Sequence, residues 1–244
     1  MNNHGTIEKM KQMRLMGMAN THYTSMQTSN YQDYTKDQYL ALLVDQEWEY
    51  RQERKINNLI KKAKFKYQAS IRDINYTHPR NLDRNLFERL CELEFIKKSE
   101  NIIITGPTGS GKSYLAQAIG TYACQMTNKT LYFNTARLMD EIKLTKLQGN
   151  YLSFIKNLQN ASLLILDDFG LTPLDQEQRK ALLDIVEFKY DHSSMVFTSQ
   201  IPVKDWHGLI GEDTIADAIL DRIVYSSHRI ELNGETMRKN KLKN

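Results

Sequence analysis

Between Thr6 and Ala19 the apolar residues Ile7, Met10, Met13, Leu15, Met16 and Met18 recur at roughly helical spacing with charges between them, the mark of an amphipathic helix that buries one face. Asn20 to Asp37 is rich in Thr, Ser, Asn, Gln and Tyr with little aliphatic content, which predicts an irregular segment. A second helical period opens with Tyr39, Leu40, Leu42, Leu43 and Trp48 and runs to about Tyr67. Pro79 breaks the pattern, because proline lacks an N–H and restricts the residue before it. The expected organisation is a small helical N-terminal domain at 1–75 and a second domain at 76–244.

Beyond Pro79 the period changes. A short helical stretch, Asn85 to Phe95, leads to Asn101-Ile102-Ile103-Ile104-Thr105, a bounded run of β-branched residues suited to a strand buried on both faces. Helical patterns then cover Lys112 to about Thr127, Ala136 to Leu147, Tyr151 to Asn160 and Gln176 to Tyr190; strand-like runs are Thr130–Phe133, Leu163–Leu166, Met195–Ser199 and Arg229–Leu232. Strands alternating with helices predict an α/β fold with a parallel sheet sandwiched between helices.

Composition narrows the class. A chain of 244 residues, 41% hydrophobic, can bury one α/β core and a smaller appendage. Cys91 and Cys124 fit neither a zinc site nor a disulfide framework, so two reduced thiols and a cytoplasmic address are expected. The N-terminus lacks an apolar core of signal-peptide length, and no apolar run approaches the ~18 residues of a membrane span, so no membrane partner is expected. The net charge of +4 is mild, but its distribution is uneven. Arg51, Arg54, Lys55, Lys61, Lys62, Lys64, Lys66 and Arg72 lie close together, with Phe65 and Tyr67 interleaved. Such a run suits contact with a DNA phosphate backbone; a solvated helix face is the other reading. No motif for base-specific readout is present.

The chemistry concentrates in two segments. Gly106-Pro107-Thr108-Gly109-Ser110-Gly111-Lys112-Ser113 matches the phosphate-binding loop G-x-x-x-x-G-K-[ST] in full, directly after a strand and before a helix that continues with Tyr114. Glycines let backbone N–H groups turn toward phosphate oxygens, and the helix N-terminus adds its positive end. Lys112 is expected to reach the β- and γ-phosphates, and Ser113 to ligate Mg²⁺. Leu163-Leu164-Ile165-Leu166-Asp167-Asp168 is a buried strand ending in carboxylates. Alone it has a helix cap as its other reading; paired with the loop, Asp167 is expected to hold Mg²⁺ and Asp168 to orient the water that attacks the γ-phosphate. Asn128-Lys129 is followed by no Asp at the guanine-reading position, which favours ATP.

Together these residues resemble the AAA+ ATPases, within the branch of helicase loaders and transposition helpers that contains DnaC and IstB. They are most similar to IstB at Leu15-Met16-Gly17-Met18-Ala19, Tyr39-Leu40-Ala41-Leu42-Leu43, Glu47-Trp48-Glu49 and Leu166-Asp167-Asp168-Phe169-Gly170-Leu171. The resemblance implies an ATPase that forms a homo-oligomer, assembles on duplex DNA with little sequence preference and recruits a cognate transposase. A helicase loader, or a nucleotide-gated adaptor with little turnover, are the alternatives. It implies further that Gln200, in Thr198-Ser199-Gln200, monitors the γ-phosphate, and that Arg222 is an arginine finger extended to a neighbouring subunit; a surface ion pair with Asp221 or Asp217 is the other reading of Arg222. Two features depart from the AAA+ pattern. Asp168 stands where Glu is usual, and only Asn233 to Asn244 follow Leu232, so the helical lid is expected to be reduced or absent, with Arg238 a possible substitute for a lid arginine.

Overall fold

The runs richest in β-branched residues form one sheet. In the computed structural model, which describes residues 3–28, 33–234 and 236–237, β1 (Asn101–Thr105), β2 (Thr130–Asn134), β3 (Leu163–Asp167), β4 (Ser194–Ser199) and β5 (Ser227–Glu231) pair in parallel in the order β2-β3-β4-β1-β5. β1, β3 and β4 are buried along their whole length, as the unbroken apolar runs of β1 and β3 require.

Alternation along each strand separates two cores. Ile102, Ile104, Leu163 and Ile165 face a layer with α4 (Arg84–Cys91), α5 (Glu94–Lys97) and α6 (Lys112–Gln125). Ile103, Leu164, Leu166 and Phe197 face α7 (Thr135–Leu147), α8 (Tyr151–Gln159), α9 (Gln176–Lys189), α10 (Trp206–Ile210) and α11 (Asp213–Val224). The α/β sandwich expected from the alternation is therefore present. The stretch expected as one helix from Asn85 to Phe95 is two, because Leu93 takes a left-handed φ of 61° between α4 and α5.

The N-terminal region holds α1 (Asn3–Gln12), α2 (Met16–Thr28) and most of α3 (Lys36–Ala63). Two expectations change here. The helix expected over 6–19 is broken, with Arg14 at φ 61° and Leu15 N–H returning to the Met10 carbonyl at 2.8 Å. The polar segment expected to be irregular is helical to Thr28. The reason is tertiary: the Glu47 carboxylate of α3 accepts the N–H groups of Gly17 (2.7 Å) and Met18 (3.2 Å), satisfying the donors that open α2. Gly17 permits this approach, since a Cβ there would stand 2.5 Å from the Gln46 carbonyl oxygen.

The chain divides into compact units at Asn58 and Leu59, inside α3, rather than near residue 75. Residues 59–75 belong to the second unit because Phe65, Ala69, Ile71 and Ile74 pack in its core, and because Gln117 of α6 accepts the N–H groups of Lys66 (2.7 Å) and Tyr67 (2.9 Å). Cys91 and Cys124 are free thiols. Among the described residues no helix is long and apolar enough to cross a membrane, and no α-helix follows β5. Arg238, the suggested lid substitute, lies outside the described residues.

Candidate functional site

The loop Gly106–Gly111 leaves the C-terminal end of β1 and turns directly into α6, whose opening N–H groups have no intrahelical acceptors. Gly106 has φ 146°, and a Cβ there would collide with the Leu232 carbonyl oxygen, so the loop can lie flat on the end of β5 only with glycine at this position. Lys112, the first residue of α6, folds its ammonium back onto the loop, donating to the carbonyls of Gly106 (2.8 Å) and Pro107 (2.9 Å). Tyr114, expected among the nucleotide-binding residues, turns away: it packs at the core beneath α6, and its hydroxyl accepts the Ser70 N–H at 3.4 Å.

β3 delivers Asp167 beside this loop. Its carboxylate accepts three hydroxyls: Ser113 (2.8 Å) and Thr198 on Oδ1, and Tyr132 (2.7 Å) on Oδ2. Burial, and then the hydrogen bond to Asp167, push the Tyr132 phenol up, so it stays a donor. Asp168 follows with a left-handed φ of 57°, its N–H donating to Thr198 Oγ1 at 3.1 Å and its Oδ2 accepting Asn134 Nδ2 at 3.0 Å. Burial, and then the neighbouring Asp167, raise the Asp168 carboxyl above its ordinary value; Lys112, Lys66 and the Asn134 hydrogen bond pull it back in part.

Gln200 also reaches the loop, where its Oε1 accepts the Thr108 hydroxyl at 2.5 Å. Lys112, Ser113, Asp167, Asp168, Thr108 and Gln200, read separately from the sequence, thus meet at one edge of the sheet. Arg222 does not join them within the chain. It lies in the last turn of α11, donating to the Ala218 carbonyl (2.8 Å) and Glu187 (3.2 Å), so its ion pair is with Glu187 and not with Asp217 or Asp221. Its backbone carbonyl receives Asn101 Nδ2 at 3.2 Å, at the start of β1 and hence at the opposite edge of the sheet from the loop. Lys61, Lys62, Lys64 and Lys66 are exposed.

Tyr132, Asn134 and Thr198 carry the carboxylates; Tyr132 and Asn134 received no role from the sequence, and Thr198 was named only as part of the segment in which Gln200 was chosen. Asn134 pairs in register with Asp167, at the C-terminal end of β2. A polar residue at that edge of a parallel sheet was the available signal.

The residues fit a Mg²⁺–nucleotide. Ser113 Oγ and Asp167 Oδ1 are hard oxygen donors held together, and magnesium takes one or two protein ligands with phosphates and water completing its shell. No cluster of three or more His, Cys, Asp or Glu able to hold a metal by itself occurs among the described residues.

Comparison with known proteins agrees with this geometry. The chain matches the family described as IstB-like ATP binding protein over residues 8–244. It is 40% identical to the insertion sequence ATP-binding protein y4pL of Sinorhizobium fredii, covering 97% of both chains. It is 30% identical to the ATP-binding protein of insertion sequence IS21 from Pseudomonas aeruginosa, over 82% of this chain and 76% of that one. Among solved structures, the DnaC helicase loader superposes with a TM-score of 0.54 at 20% identity, over 65% of this chain and 94% of that one, which shows a shared fold. Fold, loop and relatives agree: the chain belongs to the family of IstB-like ATP binding proteins.

Proposed function

We propose that this chain is a Mg²⁺-dependent ATPase that serves as the helper protein of an insertion sequence, assembling on duplex DNA and recruiting or stimulating the cognate transposase. The observation that carries the reading is the meeting of Lys112, Ser113, Asp167 and Asp168 at one sheet edge, in a chain whose relatives are insertion-sequence ATP-binding proteins.

In this reading the loop amides and Lys112 hold the phosphates, and Lys112 exchanges its loop carbonyls for phosphate oxygens when ATP enters. Ser113 and Asp167 would hold Mg²⁺, which when bound would supply positive charge to offset the negative charge developing on the phosphates. Thr198 and Tyr132 keep the Asp167 carboxylate in place. Asp168 orients the attacking water and accepts its proton, with Asn134 fixing the carboxylate. Gln200, tied to Thr108, monitors the γ-phosphate. Arg222 acts on the site of a neighbouring copy, since its place at the far sheet edge keeps it from its own.

For assembly, Leu40, Val44 and Trp48 stand exposed four residues apart on α3, an apolar stripe that supports self-association through the first unit. The exposed Lys61, Lys62, Lys64 and Lys66 supply DNA backbone contact. A second reading, a nucleotide-gated adaptor with little turnover, is favoured by the short side chain of Asp168 at the position where Glu is usual. A strand-transfer assay with the cognate transposase tests the main reading. Stimulation that requires both ATP and an intact Asp168 supports it, stimulation by ATP that survives Asp168→Asn favours the adaptor, and no stimulation sinks both.

A further inference from the structure

Arg80 is 2% exposed and lies against the phosphate loop from behind. One arm of its guanidinium donates to the Ser110 carbonyl at 2.9 Å and to the Met237 sulfur at 3.0 Å; the other donates to the Asn75 carbonyl at 3.1 Å. A Cβ on Gly111 would collide with Arg80 Nη1, so the charge sits directly against the peptides that open α6. The side chain of Arg80 is thus built into the loop, held there by carbonyl oxygens and a thioether.

What it lacks among the described residues is a counter-ion. Among the described residues no carboxylate pairs with Arg80, and its buried Nε has no partner. A buried cation without an anion is costly, and most side chains escape by losing the charge. Lys189 moves that way: burial, and then the nearby Lys129, lower it to about 7, while its Nζ donates to the Ala161 carbonyl at 2.6 Å. An arginine has no such exit, because its guanidinium stays protonated in proteins. An anion arriving at the loop would compensate this charge.

We propose that the missing counter-ion is the polyphosphate of the bound nucleotide, and that Arg80 is a positioning residue which fixes the Ser110–Gly111 peptides and adds a buried positive charge behind the loop. This rests on the reading of the loop as a nucleotide site. Arg80 touches phosphate through the loop and its field rather than directly, so it serves a diphosphate and a triphosphate alike. The loss on removing it falls on KM for ATP rather than on kcat.

The test is binding of inorganic pyrophosphate and of ADP, by calorimetry, to the full chain and to Arg80→Gln, Arg80→Met and Arg80→Lys, with the melting temperature of each ligand-free protein measured alongside. The expected result is a weakening of about tenfold or more for both ligands in the two uncharged variants. Arg80→Lys, which keeps the charge and loses the fork, should recover most of it. Unchanged affinity in the uncharged variants overturns the proposal. So does a lysine variant as weak as the glutamine one with melting temperatures lowered in parallel, since that pattern describes a structural prop. If Arg80→Gln does not fold, Arg80→Met and Arg80→Lys carry the same comparison. Failure of the unaltered chain to bind either ligand would instead sink the nucleotide-site reading itself.

Discussion

Asp167 and Asp168 are adjacent acids in opposite circumstances. Asp167 ends β3 with three hydroxyls on its carboxylate, whereas Asp168, in a left-handed turn, keeps one amide donor and is raised by burial and by Asp167. The first suits a fixed metal ligand and the second a proton acceptor. Asp168→Asn is therefore expected to keep ATP binding by calorimetry and to lose about 10²- to 10⁴-fold in turnover. The pH dependence has a definite sign: turnover needs the carboxylate, so it is full above the Asp168 pKa and lost as pH falls through it, with the acid limb above that of an ordinary aspartate. Asn134→Ala removes a hydrogen bond that favours the charged form, so this limb should move to still higher pH; a shift downward would detach Asn134 from the role. Lys112 and Ser113 were legible because a contiguous motif names them, and Asp167 because a buried apolar run ends on it once that loop is known. Tyr132 and Asn134 were not, because they reach the acids through the register of β2 on β3, where Tyr132 pairs with Ile165 and Asn134 with Asp167.

At the scale of elements, Glu47 shows how a helix can depend on a residue 30 positions away. Burial pushes its carboxyl up, but Arg51 and the N–H groups of Met18 and Gly17 hold it below the ordinary value. Its contribution to stability is thus present above the unfolded pKa and lost as pH falls through the lower folded one. Glu47→Gln should cost about 1.5–3 kcal/mol near neutral pH, the range for hydrogen bonds to a charged group. In denaturant titrations followed by helical circular dichroism, that difference should shrink as pH falls through the folded pKa; a cost constant across pH would remove the charge from the explanation. Both segments, Leu15–Ala19 and Glu47–Glu49, were singled out in the sequence, but their meeting was not, since periodicity registers a helix face and not its partner. The elements most clearly legible were β1 and β3, whose unbroken apolar runs lie between two helical layers. α11 went unread although Ile215, Ala216, Ile219 and Ile223 repeat at helical spacing, because Gly208 and Gly211 precede it and its flanks are charged.

Over the whole molecule, the division between compact units falls inside a continuous helix, before the boundary expected from the sequence: the period of α3 passes through Asn58 and Leu59 without a break, while Pro79 sits in a loop of the core. The basic run is thereby shared, with Arg51, Arg54 and Lys55 in the first unit and Lys61, Lys62, Lys64 and Lys66 in the second. Removing residues before 73 would take Phe65, Ala69 and Ile71 from the core along with the lysines, so DNA contact is better tested by substitution. The finger role of Arg222 is tested by mixing. Arg222→Ala and Lys112→Ala proteins are each expected to be inactive, and together to recover part of the turnover at interfaces pairing an intact loop with an intact arginine. Absence of recovery at every ratio, with assembly verified by light scattering, would leave Arg222 as a partner of Glu187 only.

The central claim, an ATP-gated assembly on target DNA, is tested most directly by sedimentation velocity of the full chain on bare duplex DNA, with Mg²⁺ and ATP and with no helicase present. The account predicts a fast-sedimenting nucleoprotein complex that requires ATP and is absent for Lys112→Ala. A chain that stays unassembled on duplex DNA with ATP, or that assembles equally without nucleotide, would contradict it.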